Sequence, residues 1–391
     1  MARKKPPTAD EAFLRAICEE PDDDTHRLVY ADWLDENGNP ERAEFIRVQT
    51  ELARLDEFDP RVPALLQREY CLRSGQIDAW RAVLGDLVLG LEFARGVPAT
   101  AILTAQAFLA NAGRLLRDFP GRGVRLMKVY KHSRAVAESP HLARLTSLDL
   151  TGEWLSRAAV KRFAESRHVA NLRRLVLANT GLDWEGARWL GRSPHLDRLE
   201  VLELQGSRHL RDTGVGELAA GNGLGGLTYL GLSNTQTWAE GAQALAASAK
   251  FGRLTRLDVS CNELGDDDGV TALAASPHLA RLEQMPLYQT RVGTAGVRAL
   301  LSAPFLANFT RLDLGDNWLS DGTVEVLASS PAVRGLKALQ LCRNRIGPEG
   351  ARALASSPHL AGLTFLDLSD NLIGEKGRRL LKERFQDRVA V

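Results

Sequence analysis

Long apolar runs are missing from this 391-residue chain, and so is a dominant charge. No stretch approaches the roughly 18–20 uninterrupted apolar residues that span a bilayer, so no membrane partner is expected. Lysine and arginine total 50 against 49 aspartates and glutamates, a net charge near +1. That balance removes the general electrostatic argument for nucleic acid as a partner. The start, MARKKPPTADEAF, carries charge without an apolar stretch, which argues against a secretory signal. Cysteines are few. Cys18, Cys71, Cys261 and Cys342 lie too far apart for a zinc-ligand pattern or a disulfide framework, and read as free thiols in a reducing, cytoplasmic compartment. Catalytic signatures are absent too: there is no Walker loop, no Gly-x-Gly-x-x-Gly after a strand, no His-Glu-x-x-His and no Gly-x-Ser-x-Gly. Neither enzymatic activity nor a bound cofactor or metal is expected.

What is present is a repeat. Nine leucine-spaced phrases recur every 27 or 28 residues, from Leu145-TSLDLTGE to Leu363-TFLDLSDN. Their central apolar residues are Leu148, Leu175, Leu202, Leu230, Leu257, Met285, Leu312, Leu339 and Leu366. Such a period means stacked units, none of which can bury its apolar face alone. Each unit reads as a short strand, a loop and a helix such as Gly241-AQALAAS or Gly350-ARALASS. Alternation places Leu257 and Val259 inside and Asp258 outside. A helix is wider than the ~4.8 Å between strands, so the stack bends with nine strands inside and helices outside. After each strand comes a side chain able to bond turn backbone: Thr180, Ser207, Thr235, Asn262, Thr290, Asn317, Asn344 and Asn371, with Glu153 in the first repeat.

The remainder divides into segments. Residues 1–9 read as a disordered tail. Residues 10–90 read as an all-helical domain with a helix starting at Pro40 and a fourth helix, around Leu65 to Leu84, broken near Ser74-Gly75. Residues 91–138 read as the N-terminal cap of the array, with strands at Val97–Leu103 and Val124–Tyr130 around a helix. The repeats occupy 139–374. A charged-outward helix, Glu375 to about Arg388, closes the end at 375–391.

Two resemblances follow from these residues. The phrase LxxLxLxxN with a Gly-Ala-x-x-Leu-Ala helix at this period resembles leucine-rich repeats of the ribonuclease-inhibitor type, over about residues 125–391. That resemblance implies an α/β horseshoe solenoid that binds other proteins through its strand face and adjoining loops. The run Glu11-AFLRAICEEPDDDTHRLVYADWLDENGNPERAEFIRVQTELARL is similar to the repeat-companion domain of planctomycete-type bacteria. His26 stands where that family usually has proline, and Asn37 where a charged residue is common. The domain implies no biochemical role.

Candidate contact residues come from two patterns. Asp149, Glu203, Asp258, Asp313 and Asp367 occupy the outward strand position in alternate repeats. They read either as an acidic ladder for a basic partner or as ordinary solvated strand residues. Trp154, Trp184, Trp238 and Trp318 fall one to four residues past the turn position, with Tyr229, Tyr288 and Phe365 on or beside the strand face. The tryptophans either hold a partner, as exposed indoles do at hot spots, or fold back over the loops. Asp22, Asp23, Asp24, Asp32, Asp35 and Glu36 form an acidic cluster, but Gly38 comes too early for a calcium loop, and helix capping explains the cluster. His141, His195, His278 and His359 recur in Ser-Pro-His-Leu turns, spaced too widely to share a metal. The expected function is a monomeric, non-catalytic scaffold for a protein partner. Regulation of a partner enzyme, such as a nuclease or GTPase, and an unrecognised activity of the N-terminal domain are the alternatives.

Overall fold

The computed structural model describes residues 9–55, 58–265 and 267–391. The first eight residues of the expected tail lie outside the described residues. The chain divides into two compact units, residues 1–149 and 150–391.

The first unit begins with four helices: α1 (Ala9–Glu19), α2 (Asp24–Glu36), α3 (Pro40–Arg54) and α4 (Val62–Leu84). Asp23 caps α2 by accepting from the Thr25 amide at 2.8 Å, and Pro40 opens α3 with its φ already helical. The expected break at Ser74-Gly75 does not occur. Open space surrounds Gly75, and a 23-residue helix absorbs the roughly 1 kcal/mol that glycine costs against alanine. The strand expected at Val97–Leu103 is β2 (Val97–Thr104), and a strand that was not expected, β1 (Gly90–Ala94), forms a hairpin with it through Arg95 and Gly96 in left-handed conformations. Gly96 cannot carry a side chain, because a Cβ would lie 2.3 Å from the Ile46 Cα; its amide donates to Gln49 Oε1 at 2.7 Å. The hairpin is thus locked onto α3, with Phe45 and Phe93 meeting edge to face at 5.2 Å. Then come α5 (Ala105–Asp118), β3 (Gly123–Met127), α6 (Ser133–Ala137) and β4 (Ser147–Asp149), with β2, β3 and β4 parallel.

The second unit repeats strand and helix. Its strands are β5 (Arg174–Val176), β6 (Val201–Glu203), β7 (Tyr229–Gly231), β8 (Arg256–Asp258), β9 (Arg311–Asp313), β10 (Ala338–Gln340), β11 (Phe365–Asp367) and β12 (Val389–Ala390). Its helices are α7 (Arg157–Glu165), α8 (Trp184–Gly191), α9 (Arg211–Ala220), α10 (Ala239–Ala247), α11 (Asp268–Ala274), α12 (Thr294–Ser302), α13 (Asp321–Ser329), α14 (Pro348–Ser356) and α15 (Gly374–Phe385). The central leucines pair in parallel register, Leu175 to Leu202 to Leu230 to Leu257, and all four are buried. The nine-strand expectation needs two corrections. The repeat around Met285 forms only a single bridge, Gln284 to Arg256, and the sheet is interrupted there. Pro286, at the outward position, has no amide to donate, which disfavours a regular ladder. At the other end, the chain past α15 adds β12, which pairs with β11 and covers its edge.

The turn after each strand holds the stack together. The residue before the turn position is left-handed in every repeat: Gly152, Asn179, Gly206, Asn234, Cys261, Gln289, Asp316, Arg343 and Asp370. That bend directs the next side chain inward. Asn262 donates from Nδ2 to the carbonyls of Leu232 (2.7 Å) and Val259 (3.0 Å), and its Oδ1 accepts from the amides of Thr235 and Thr237, both 3.0 Å. One side chain therefore joins two repeats. Asn317, Asn344 and Asn371 do the same. Thr180, Thr235 and Thr290 supply only their hydroxyls, to carbonyls three residues back.

Ser207 is the weak member: its hydroxyl is buried with no hydrogen-bond partner among the described residues. An asparagine there would meet the carbonyls of Leu177 and Leu204 at the offsets Asn262 uses. Ser207→Asn should therefore stabilise the chain by about 1–2 kcal/mol. Urea denaturation checks this, and an unchanged or lower midpoint would refute it.

Serine, not histidine, organises the Ser-Pro-His-Leu turns. The hydroxyls of Ser193, Ser276 and Ser357 donate to Ala164, Ala246 and Ala328 of the preceding repeat and accept the amides of His195, His278 and His359. Where Gly221–Gly226 lacks that turn, the Lys250 ammonium donates to the carbonyls of Leu218, Gly221 and Gly223. Burial pushes Lys250 down to about 8.

Candidate functional site

The outward strand positions carry hydrogen bonds of their own. In the second unit, Asp258 Oδ1 accepts from the amide (3.0 Å) and hydroxyl (2.6 Å) of Ser260, and Asp367 treats Ser369 the same way. Asp313 accepts from the Gly315 amide at 2.9 Å. Glu203 is buried and takes Arg174 as ion-pair partner and Gln205 as donor. These acids close the strand ends locally, each through an oxygen already committed to a neighbour. Asp149 ends β4 in the first unit, 3.8 Å from the Arg125 guanidinium.

The aromatic residues of the strand face are half-buried. The Arg256 guanidinium lies over the Tyr229 ring at 4.9 Å, and burial raises the Tyr229 phenol above its ordinary range. Tyr288 accepts from Arg343 at 3.2 Å, and Phe365 sits at the start of β11. Burial and the nearby Asp367 and Asp313 push the Cys342 thiol up to about 11.

The tryptophans stand out from this surface. Trp154 is 61% exposed, Trp184 37%, Trp238 51% and Trp318 55%. Trp154 rests its ring on Gly181, where a Cβ would come within 2.6 Å of Cζ3. Trp184 begins α8, Trp238 precedes α10, and Trp318 lies between the guanidinium groups of Arg291 (5.4 Å) and Arg345 (5.6 Å). Only Trp154 and Trp184 converge. They line a concavity of about 400 Å³ together with Leu155, Leu182, His209 and Arg211.

A comparison with family models matches residues 254–274 and 336–355 to the leucine-rich repeat. The chain carries leucine-rich repeats. Among solved structures, an internalin from Listeria monocytogenes is similar, at 16% identity over 80% of this chain and 94% of that one, with a TM-score of 0.44. No curated protein matches the chain. No helix among the described residues is long and apolar enough to cross a membrane.

Two features of these leucine-rich repeats escaped the sequence reading. Helix caps cross between repeats: Asp212 near the start of α9 accepts the amides of Trp238 (2.7 Å) and Gly241 (2.8 Å) at the start of α10. Asp267 and Asp321 serve α12 and α14 alike. The glycine of the Gly-Ala helix motif admits that carboxylate, since a Cβ on Gly296 would lie 2.7 Å from Asp267 Oδ1. Arg211 and His209 were also overlooked, although the run Arg208-His209-Leu210-Arg211 marks a basic loop.

In the first unit the acidic cluster is mostly spoken for. Asp24 faces Arg54 (2.8 Å), Arg95 (3.2 Å) and Arg27 (3.9 Å), while Asp32 and Asp35 hold Arg47. Glu20, Asp23 and His26 bring ligand atoms within 4.8 Å of one another, but His26 bonds Glu20 and Asp23 caps α2.

Proposed function

We propose that the second unit is a non-catalytic, cytoplasmic scaffold that holds a protein partner by its strand face and, above all, by the loops that carry Trp154, Trp184, Trp238 and Trp318. Leucine-rich repeats are generally protein-binding scaffolds. In this reading the repeats are of the ribonuclease-inhibitor type, which the 27–28 residue period and the regular helices support, and residues 10–90 are the companion domain. Residues 91–138 cap an array that runs over 139–374, and the segment 375–391 closes it.

One observation carries the proposal. Four large indoles, 37% to 61% exposed, follow the turns after the strands, in a frame whose turns are tied together by asparagine hydrogen bonds between repeats. Covering even ~100 Å² of apolar surface on each would favour association by about 2–3 kcal/mol per ring, before the costs of binding. Rigid loops lose little entropy in doing so. The strand-face acids Glu203, Asp258, Asp313 and Asp367 contribute less, because each already has a local partner.

Affinity capture from lysate of the host organism tests this reading. The full chain should retain a protein that a variant with all four tryptophans changed to alanine loses, with melting temperatures matched. Identical capture by both proteins would sink the assignment of the loops.

A further inference from the structure

We propose that the concavity between Trp154 and Trp184 is a subsite for an acidic peptide segment, one apolar or aromatic side chain of which enters between the indoles while flanking carboxylates meet Arg208 and Arg211. The inference rests on the scaffold reading and assigns the class of ligand to one place on it.

The floor is apolar: Leu155 and Leu182 are buried beneath the two rings. About 400 Å³ is room enough for one large side chain with its adjoining backbone. Charge then selects the class. Arg157 lines the same space but is already neutralised by Asp183 at 2.6 Å and Glu185 at 2.7 Å. Asp183 in turn caps α8 through the Gly186 amide at 3.0 Å, so that acid is committed as well. The turn after β6 and the start of α9 expose Arg208, His209 and Arg211, of which His209 and Arg211 line the concavity. Among the described residues neither Arg208 nor Arg211 forms an ion pair, and Arg211 meets only the amide oxygen of Gln236 at 3.4 Å.

An apolar floor with the unspent Arg211 guanidinium on its rim and Arg208 in the adjoining turn fits a ligand that is apolar at its centre and anionic at its edge. A basic peptide would leave those arginines facing like charge. Guanidinium groups pair carboxylates with two parallel hydrogen bonds, which adds geometric selection to charge. His209, exposed next to the indoles, adds a further donor on the same rim.

The test uses the full chain and fluorescence anisotropy. The probes are fluorescein-labelled nine-residue peptide pools with central Phe, Trp or Leu, flanked either by Asp and Glu or by Lys and Arg. The acidic pool should bind at least tenfold more tightly than the basic pool at low salt, and the difference should shrink at 0.5 M salt as screening sets in. Arg208→Glu with Arg211→Glu should abolish the preference, and Trp184→Ala should weaken acidic binding about tenfold. Arg345→Glu, a single charge reversal beside Trp318 outside the concavity, should leave binding unaltered. All substituted positions are exposed, so thermal unfolding should match the parent.

Equal binding of the two pools would overturn the proposal. So would an Arg345→Glu effect as large as that of the loop pair, or tighter binding of a single-stranded oligonucleotide than of the acidic pool. If any of these occurs while the four-tryptophan variant still loses its captured protein, the subsite falls and the scaffold reading stands. If capture is also unaffected, both fall.

Discussion

Asn262→Ala is expected to lower the stability of the chain by about 3–5 kcal/mol. The asparagine is 3% exposed and serves two repeats at once. Its removal leaves the Val259 carbonyl and the Thr235 and Thr237 amides without that partner, while the Leu232 carbonyl keeps only the Thr235 hydroxyl. Each orphaned buried group costs about 1–3 kcal/mol, and partial relaxation keeps the total below the sum. Asn262→Asp sharpens the test. A carboxylate keeps the acceptor for the two amides but turns a second acceptor toward two carbonyls, so this near-isosteric change should be at least as damaging as alanine. Urea denaturation followed by circular dichroism measures both. A loss under 1 kcal/mol for either variant would show that the side chain does not join the repeats.

Leu257→Ala should cost about 2–5 kcal/mol, the usual range for a buried leucine whose cavity cannot collapse. Leu257 is fully buried in parallel register with Leu230, and the adjoining repeats wall the space on both sides. Stacked repeats share such walls, so the loss belongs to two interfaces as well as to one repeat. The comparison is Asp258→Ala, the next residue, which alternation alone would place within about 0.5 kcal/mol of the parent. The structure raises that figure to about 1 kcal/mol, because Asp258 accepts two bonds from Ser260. Chemical denaturation of both variants should still separate them by more than 1 kcal/mol. Equal effects would mean that the inward and outward sides of the strand have been exchanged.

The difference between those two figures for Asp258 shows where sequence reading stops. Period-2 alternation reveals that residue 258 faces away from the leucines, but not that Ser260 will turn back to it. The same holds for Pro286. Its place in the repeat was plain, but only the geometry showed that the phrase around it keeps its register with a single bridge to Arg256. At the C-terminus, Val389 and Ala390 have no pattern of their own; they become a strand because β11 would otherwise present an unpaired edge. Gly75 misled in the other direction, since a glycine in solvent weakens a helix without ending it.

The candidate site was half legible. All four tryptophans could be placed past the turn position by counting from the leucines, and all four proved exposed to different degrees. Nothing in the spacing distinguished Trp154 and Trp184, which converge, from Trp238 and Trp318, which do not line that concavity. Nor did the acids at outward positions announce that their oxygens would be occupied.

By itself, the sequence determined the repeat, the inward leucines and the polar residue that each turn would bury. Those features depend on chemistry recurring at a constant interval along the chain. Only the tertiary structure decided which carboxylate caps the following repeat's helix, which serine is left without a partner and which two indoles face one concavity. Those outcomes depend on side-chain directions in neighbouring repeats, where a shift of one or two ångströms makes or removes a hydrogen bond while leaving the periodicity unchanged.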